Sequence, residues 1–251
     1  MELFLFALLG WFVGLVIDRA ADNLPAGRSL FDTPHCPYCG TARPVLDQIA
    51  LLSFVLLRGR CSHCHAPIPL RTPLVELASA LAFAYLWTRL GATVDLLLAL
   101  VYTFVFLLVL VIDLEHRLIL NVVILPATLF AALASPFSQI GWASSLVGGV
   151  AAFVIVFGIY IFAEVFSRWR KLNIEGGAFG QGDVKLALFM GLVTGFPAVF
   201  MAVLATILLG GVGAILFLLY QFAVHRRWAM TAAIPYGPFF CIVGWLFMVM
   251  R

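Results

Sequence analysis

Long apolar runs, interrupted by short polar segments, occupy most of the chain. Apolar runs of about 20 residues predict helices that cross a hydrocarbon core about 30 Å thick. The predicted helices span residues 3–17, 73–89, 93–112, 119–134, 140–167, 183–196, 197–222 and 233–250. The segment 183–196 is short, since it would extend only about 21 Å at about 1.5 Å per residue. The turn Gly195-Phe196-Pro197 is expected to reverse the chain after it.

The composition indicates that these predicted helices lie in a membrane. Hydrophobic residues make up 64% of the chain and charged residues 11%, whereas ordinary globular domains have about 45–50% and about 25%. A soluble core cannot bury that excess. We therefore expect an all-α polytopic membrane protein with about eight transmembrane helices. Its predicted parts are a first transmembrane helix at 1–17, a polar loop domain at 18–72 and a membrane domain at 73–251.

The distribution of basic residues predicts the orientation. The first apolar stretch follows an acidic residue and precedes a basic one, which is the reverse of a secretory signal. We therefore expect this stretch to be retained as a helix whose N-terminus lies outside the cytoplasm. We expect membrane lipid to surround the helices. All 15 Lys and Arg residues except Arg89 and Arg251 then fall in the inner segments, as the positive-inside rule requires. The net charge of +3 indicates no partner, and we expect no nucleic acid.

Two aspartates stand at the edges of the apolar runs, both on the predicted cytoplasmic side: Asp113 ends one run and Asp183 opens another. An ionisable side chain there costs about 3 kcal/mol on insertion scales, so a functional role is the first hypothesis. In an aspartic protease one carboxylate takes a proton from water, and the other, protonated, polarises the scissile carbonyl. Glycines before Asp183 would let a substrate backbone approach closely. They are Gly176, Gly177, Gly180 and Gly182.

The charged residues at the ends of the apolar runs, the two aspartates included, also have structural interpretations. Asp183 is well placed to cap the helix that follows it, and Asp113 can pair with Arg117 four residues later. Lys185 is a candidate at the substrate approach, where it either biases the acidity of the aspartates or anchors its helix at the headgroups. Glu76, early in the second predicted helix, is either an interfacial charge or a polar group facing the active-site cavity.

The polar segment 18–72 carries two Cys-x-x-Cys pairs, a spacing that is typical of a structural zinc site. The predicted ligands are Cys36, Cys39, Cys61 and Cys64. A reducing cytoplasm disfavours disulfides, and a redox pair or free thiols remain alternatives. Four protein ligands would leave no position for a catalytic water, so the site would be structural. Cys241 stands alone in the last predicted helix and is expected to be a core residue.

The two aspartate segments resemble motifs of the type IV prepilin peptidases. The residues are Asp-Leu-Glu-His-Arg-Leu-Ile at 113–119 and Gly-Gln-Gly-Asp-Val-Lys-Leu at 180–186. Segments 46–53, 57–61, 71–76 and 234–239 are also similar to that family. One departure is Leu120-Asn121, where the family usually has Pro before the Asn or Asp.

The resemblance implies a membrane-embedded aspartic peptidase with Asp113 and Asp183 as its catalytic dyad. Its substrate would be a prepilin or pseudopilin, cut after the Gly of a short leader at the cytoplasmic face of the bacterial inner membrane. Relatives that have the cysteine loop also imply N-methylation of the new N-terminus with S-adenosylmethionine. Two other classes stay open: a proton-coupled transporter, in which the carboxylates relay protons, and a non-catalytic zinc-bearing membrane scaffold.

Overall fold

The described part of the chain is helical, with no β-strand. The computed structural model describes residues 1–30, 32–33, 35–36, 38–42, 49, 51, 53–54, 59–67, 69–169, 180–225 and 236–250. Within these residues the α-helices are α1 (Glu2–Asn23), α2 (Arg71–Leu90), α3 (Val94–His116), α4 (Asn121–Ala134), α5 (Trp142–Trp169), α6 (Gln181–Thr194), α7 (Ala198–His225) and α8 (Gly237–Val249). The prediction of an all-α protein is confirmed. Two of the predicted inner segments, 168–185 and 223–232, are described only in part, because residues 170–179 and 226–232 lie outside the described residues.

Four described helices are long and apolar enough to cross a membrane. They are α1, α3, α5 and the Ala198–Tyr220 part of α7. Each of the other predicted helices is present, but α4 and α8 are shorter apolar helices of 14 and 13 residues. The chain is therefore a multi-pass membrane protein, whereas the number of eight spans stays a prediction.

The unit Met1–Ile112 contains a closely packed pair of helices, α1 and α2. A Cβ atom at Gly14 would lie 2.7 Å from the Cα atom of Glu76, so the two backbones touch where only glycine fits. Glu76 is fully buried and accepts hydrogen bonds from the Trp11 indole (3.0 Å) and the Leu51 backbone N–H (2.9 Å). Burial with these partners excludes the interpretation of Glu76 as an interfacial charge.

The unit Asp113–Arg251 is built around α6, which contacts α4, α5, α7 and α8. Helix α6 has only 14 residues, and its side chains from Leu186 to Thr194 are buried except for Leu188. A helix that is apolar all round is typical of a protein interior. Burial among helices accounts for a segment too short to cross a bilayer by itself.

Small residues hold α6 against α5. A Cβ atom at Gly148 of α5 would lie 2.6 Å from the carbonyl oxygen of Gly191 in α6, the kind of close approach that small residues permit between membrane helices. The hydroxyl of Ser145 donates to the Leu192 carbonyl (2.7 Å), and that of Ser144 to the Phe196 carbonyl (2.6 Å). The chain leaves its helix at the predicted turn, because α6 ends at Thr194 and α7 begins at Ala198.

Candidate active site and candidate metal centre

Both aspartates are buried in the second unit. Asp113 stands in the last turn of α3 and is 5% exposed; Asp183 stands in the first turn of α6 and is 9% exposed. They lie near enough for the charge of Asp113 to act on Asp183. The helix that contains Asp183 has Gly180 as its N-cap residue, and the Asp183 carboxylate interacts with the backbone N–H of Gly180. Two buried carboxylates within electrostatic range of each other ionise together only at a cost.

Glycines surround the pair at short range. A Cβ atom at Gly180 would lie 2.9 Å from Oδ2 of Asp183, and the Asp183 backbone N–H donates to the Gly180 carbonyl (3.1 Å). At Gly182 a Cβ atom would lie 2.8 Å from Cβ of Ile119. Both glycines therefore contact the chain itself, and their proposed role at the substrate approach stays a prediction. Gly176 and Gly177, the other predicted glycines, lie outside the described residues.

Gly237 completes this arrangement, and sequence reasoning did not single it out. It is the first residue of α8, and its backbone N–H interacts with the carboxylate of Asp113. A methyl group at Gly237 would collide with Oδ2 of Asp113 and lie 2.9 Å from Cγ. Its signal in the sequence was the Tyr236-Gly237-Pro238 segment, but the segment does not tell which side chain the glycine faces.

Cys241 lies beside the same pair. It is 2% exposed, and its sulfur is close enough to Asp113 and Asp183 to sense both charges. The spacing of four residues places Cys241 on the same face of α8 as Gly237. The expectation that Cys241 is a core residue is confirmed, but no pattern in the sequence indicates that it lies within electrostatic range of both aspartates.

Lys185, the third residue predicted at the substrate approach, has a partner within the protein. Its Nζ atom donates a hydrogen bond to Oδ1 of Asn121, at 2.7 Å. Asn121 is the first residue of α4. The role of Lys185 toward a substrate stays a prediction.

The four predicted metal ligands converge in the first unit. The Sγ atoms of Cys36, Cys39, Cys61 and Cys64 all lie within 4.8 Å of one another, and those of Cys36 and Cys64 are 3.7 Å apart. A zinc ion with Zn–S bonds of about 2.3 Å requires sulfur atoms about 3.8 Å apart at the corners of a tetrahedron. The donor set therefore fits a four-thiolate zinc site.

The two cysteine pairs have the same backbone geometry. The N–H of Gly40 donates to the Cys36 carbonyl, and the N–H of His65 donates to the Cys61 carbonyl in the same way. Gly40 and His65 both have a left-handed φ, of 68° and 56°. Among the described residues, His65 thus serves as the turn residue of the second pair, outside the metal-ligand cluster.

Hydrogen bonds shift the acidity of two of these thiols in opposite directions. The side chain and backbone of Thr41 lower the pKa of Cys39 to about 6, whereas burial and hydrogen bonds with the other thiols raise the pKa of Cys64. The thiolate is the form that binds metals.

The chain matches known families over most of its length. Residues 5–90 match the Bacterial Peptidase A24 N-terminal domain, and residues 100–215 match the Type IV leader peptidase family. No solved structure gives a significant match.

Relatives with the same printed name, prepilin leader peptidase/N-methyltransferase, come from several bacteria. The Aeromonas hydrophila protein is 32% identical over 92% of this chain and 74% of its own length. The Pseudomonas aeruginosa protein is 32% identical over 84% and 69%, and the Myxococcus xanthus protein is 32% identical over 93% and 68%. Because this chain covers more than two thirds of the length of such relatives at this identity, it belongs to the type IV leader peptidase family.

Proposed function

We propose that this protein is an aspartic endopeptidase of the bacterial inner membrane that removes the leader of prepilins or pseudopilins, with Asp113 and Asp183 as its catalytic residues. The observation that carries the proposal is the burial of these two carboxylates, from α3 and α6, within electrostatic range of each other in a chain of this family. The relatives' printed names supply the substrate class and the second activity, N-methylation. No finding favours a transporter or a scaffold.

In the proposed reaction the two carboxylates hold one proton between them. One carboxylate takes a proton from a water molecule as that water attacks the carbonyl of the leader glycine. The other, initially protonated, donates a hydrogen bond to the carbonyl oxygen and then gives its proton to the leaving amine. Burial of both groups excludes bulk water, which strengthens these interactions. The leader would be presented from the cytoplasmic side, with the apolar helix of the substrate in the bilayer.

The cysteine cluster would hold a structural zinc ion that orders the polar loop. Methylation of the new N-terminal amine would use S-adenosylmethionine as methyl donor, in a step separate from cleavage.

Substitution of the aspartates tests the function. The purified protein is incubated in detergent with a prepilin, and mass spectrometry reads the cut site and any added methyl group. We expect Asp113→Asn and Asp183→Asn each to lower the cleavage rate by at least about 100-fold, since each removes an acid–base group.

Asp95→Asn provides the matched control, because Asp95 lies at the opposite end of α3. This variant should cleave at the parental rate. Cleavage that persists in both dyad variants would refute the assignment. Methylation of a pilin supplied without its leader, by a variant that no longer cleaves, would show that the two activities use separate groups.

A further inference from the structure

The connector between α3 and α4 has only four residues, 117–120. At its start Arg117 adopts a left-handed φ of 54°, and its N–H donates to the carbonyl of Asp113 at 3.0 Å. A left-handed non-glycine residue turns the chain sharply at the end of a helix. At its end, the carbonyl of Leu120 accepts from the N–H groups of Val123 and Ile124, both at 3.0 Å. The connector is therefore tied at both ends, and its path is fixed relative to Asp113.

The same segment contacts α6 at two points that flank Asp183. Ile119 packs against Gly182, where a Cβ atom would come within 2.8 Å of its own Cβ atom. Asn121 accepts the 2.7 Å hydrogen bond from Lys185. One contact lies immediately before Asp183 in α6 and the other two residues after it, so the pair of contacts fixes this helical turn in both position and rotation.

Helix geometry separates Lys185 from the acid–base chemistry itself. Residues two apart on an α-helix point about 200° apart around its axis. Lys185 therefore approaches Asn121 on a different side of α6 from the one on which Asp183 lies. The hydrogen bond acts on the backbone that carries Asp183.

We propose that Asn121 and Lys185, together with the Ile119–Gly182 contact, form a clamp that sets the separation of Asp113 and Asp183. The proposal rests on the proposed function, since it assigns positioning residues for that dyad. Asp113 is fixed to the connector through Arg117, and Asp183 is fixed to the connector through its two neighbours in α6. The connector thus fixes the position of each carboxylate relative to the other.

A clamp, a substrate contact and a headgroup anchor at Lys185 predict different effects of its substitution on kcat and KM. A displacement of a catalytic group by about 1 Å costs about 100-fold in rate, so a looser clamp lowers kcat. A lysine that contacts the substrate would instead change KM. A lysine that anchors α6 at the headgroups would be no more sensitive than another exposed basic residue, such as Arg168, which pairs with Glu164 at 2.9 Å on α5.

The test is a double-mutant cycle with Lys185→Ala, Asn121→Ala and the double variant, measured as kcat and KM for prepilin cleavage. We expect each single substitution to lower kcat about tenfold with KM unchanged. The double variant should be no slower than the slower single variant, because both substitutions remove the same contact. Asn121→Asp, which keeps an acceptor for Lys185, should retain most of the parental kcat, and Arg168→Ala should match the parent.

Any one of three results would overturn the clamp. Additive effects of the two substitutions would show that the side chains act independently, and a rise in KM with unchanged kcat would assign Lys185 to substrate binding. Thermal unfolding of each variant, measured in parallel, separates a loss of folded protein from a loss of turnover. Asp113→Asn and Asp183→Asn are assayed beside them: inactive dyad variants with fully active clamp variants would refute the clamp alone, whereas active dyad variants would refute the proposed function.

Discussion

Three glycines permit close contacts at and around the two aspartates, because a side chain at any of these positions would collide with a neighbouring group. Gly180 leaves room for the Asp183 carboxylate, Gly182 for Ile119, and Gly237 for the Asp113 carboxylate. None of these three glycines has a positive φ, so the absence of a side chain, rather than conformational freedom, is what each position requires. The approach of a substrate backbone at Gly180 and Gly182 stays a prediction, because the groups that lie close to these glycines belong to the chain itself.

Gly237→Ala tests this packing. The added methyl group would collide with the Asp113 carboxylate and displace it, so the cleavage rate should fall by about 100-fold. The change is measured as kcat for prepilin cleavage by purified protein. Gly211→Ala is the matched control, because Gly211 is also helical and a Cβ atom there meets nothing within 4 Å. Equal rates for the two variants would contradict the close packing of Asp113 against α8.

At the scale of elements, the two cysteine turns are equivalent units that each contribute two thiols. Each has a backbone hydrogen bond from the left-handed residue back to the first cysteine, and an isolated bridge flanks each turn, at His35–Ala42 and Arg60–Pro67. Two such turns can present four sulfur atoms at the corners of a tetrahedron without a sheet or a helix to support them. A bound metal would supply much of the order in this part of the chain.

Metal analysis of the purified protein tests the zinc site. We expect about one zinc ion per chain in the parent, as a four-thiolate site binds one ion. Replacing both Cys61 and Cys64 with Ser should abolish zinc binding, because half of the ligands are removed. Cys241→Ser should leave the zinc content unchanged, since that residue is no part of the cluster. A metal content that survives the double substitution would refute the site.

At the scale of the whole molecule, the sequence predicts that the polar loop and both aspartates face the cytoplasm. The prediction depends on the distribution of Lys and Arg, because basic residues are retained on the inner side.

Labelling of intact cells with a membrane-impermeant maleimide checks this orientation. Gln139→Cys, in the connection between α4 and α5, should react in intact cells. Ala26→Cys, just after α1, should react only once the membrane is permeabilised. Both positions are exposed, so folding does not hide either thiol. The opposite pattern would invert the predicted orientation and place the aspartates on the outer side.

The sequence alone determined the class of protein, the eight α-helices α1 to α8 of the described residues, and the four cysteines that converge into one cluster. These properties depend on local pattern: run length and hydropathy define a membrane helix, and the Cys-x-x-Cys spacing defines a turn that presents two thiols. Helix ends differed by several residues where polar turns extend a helix beyond its apolar run, as at Asn23 of α1 and His116 of α3.

Only the tertiary structure decided which residues meet. Asp113, Asp183, Gly237 and Cys241 come from three helices, and no local pattern carries the distances between helices. Helix α6 is the clearest case, since its short apolar run gave no sign that four other helices contact it. Its position depends on backbone contact at Gly148 and Gly191, on Ile119 of the connector and on Asn121 of α4. Close packing is a property of complementary surfaces, and those surfaces exist only after the helices have assembled.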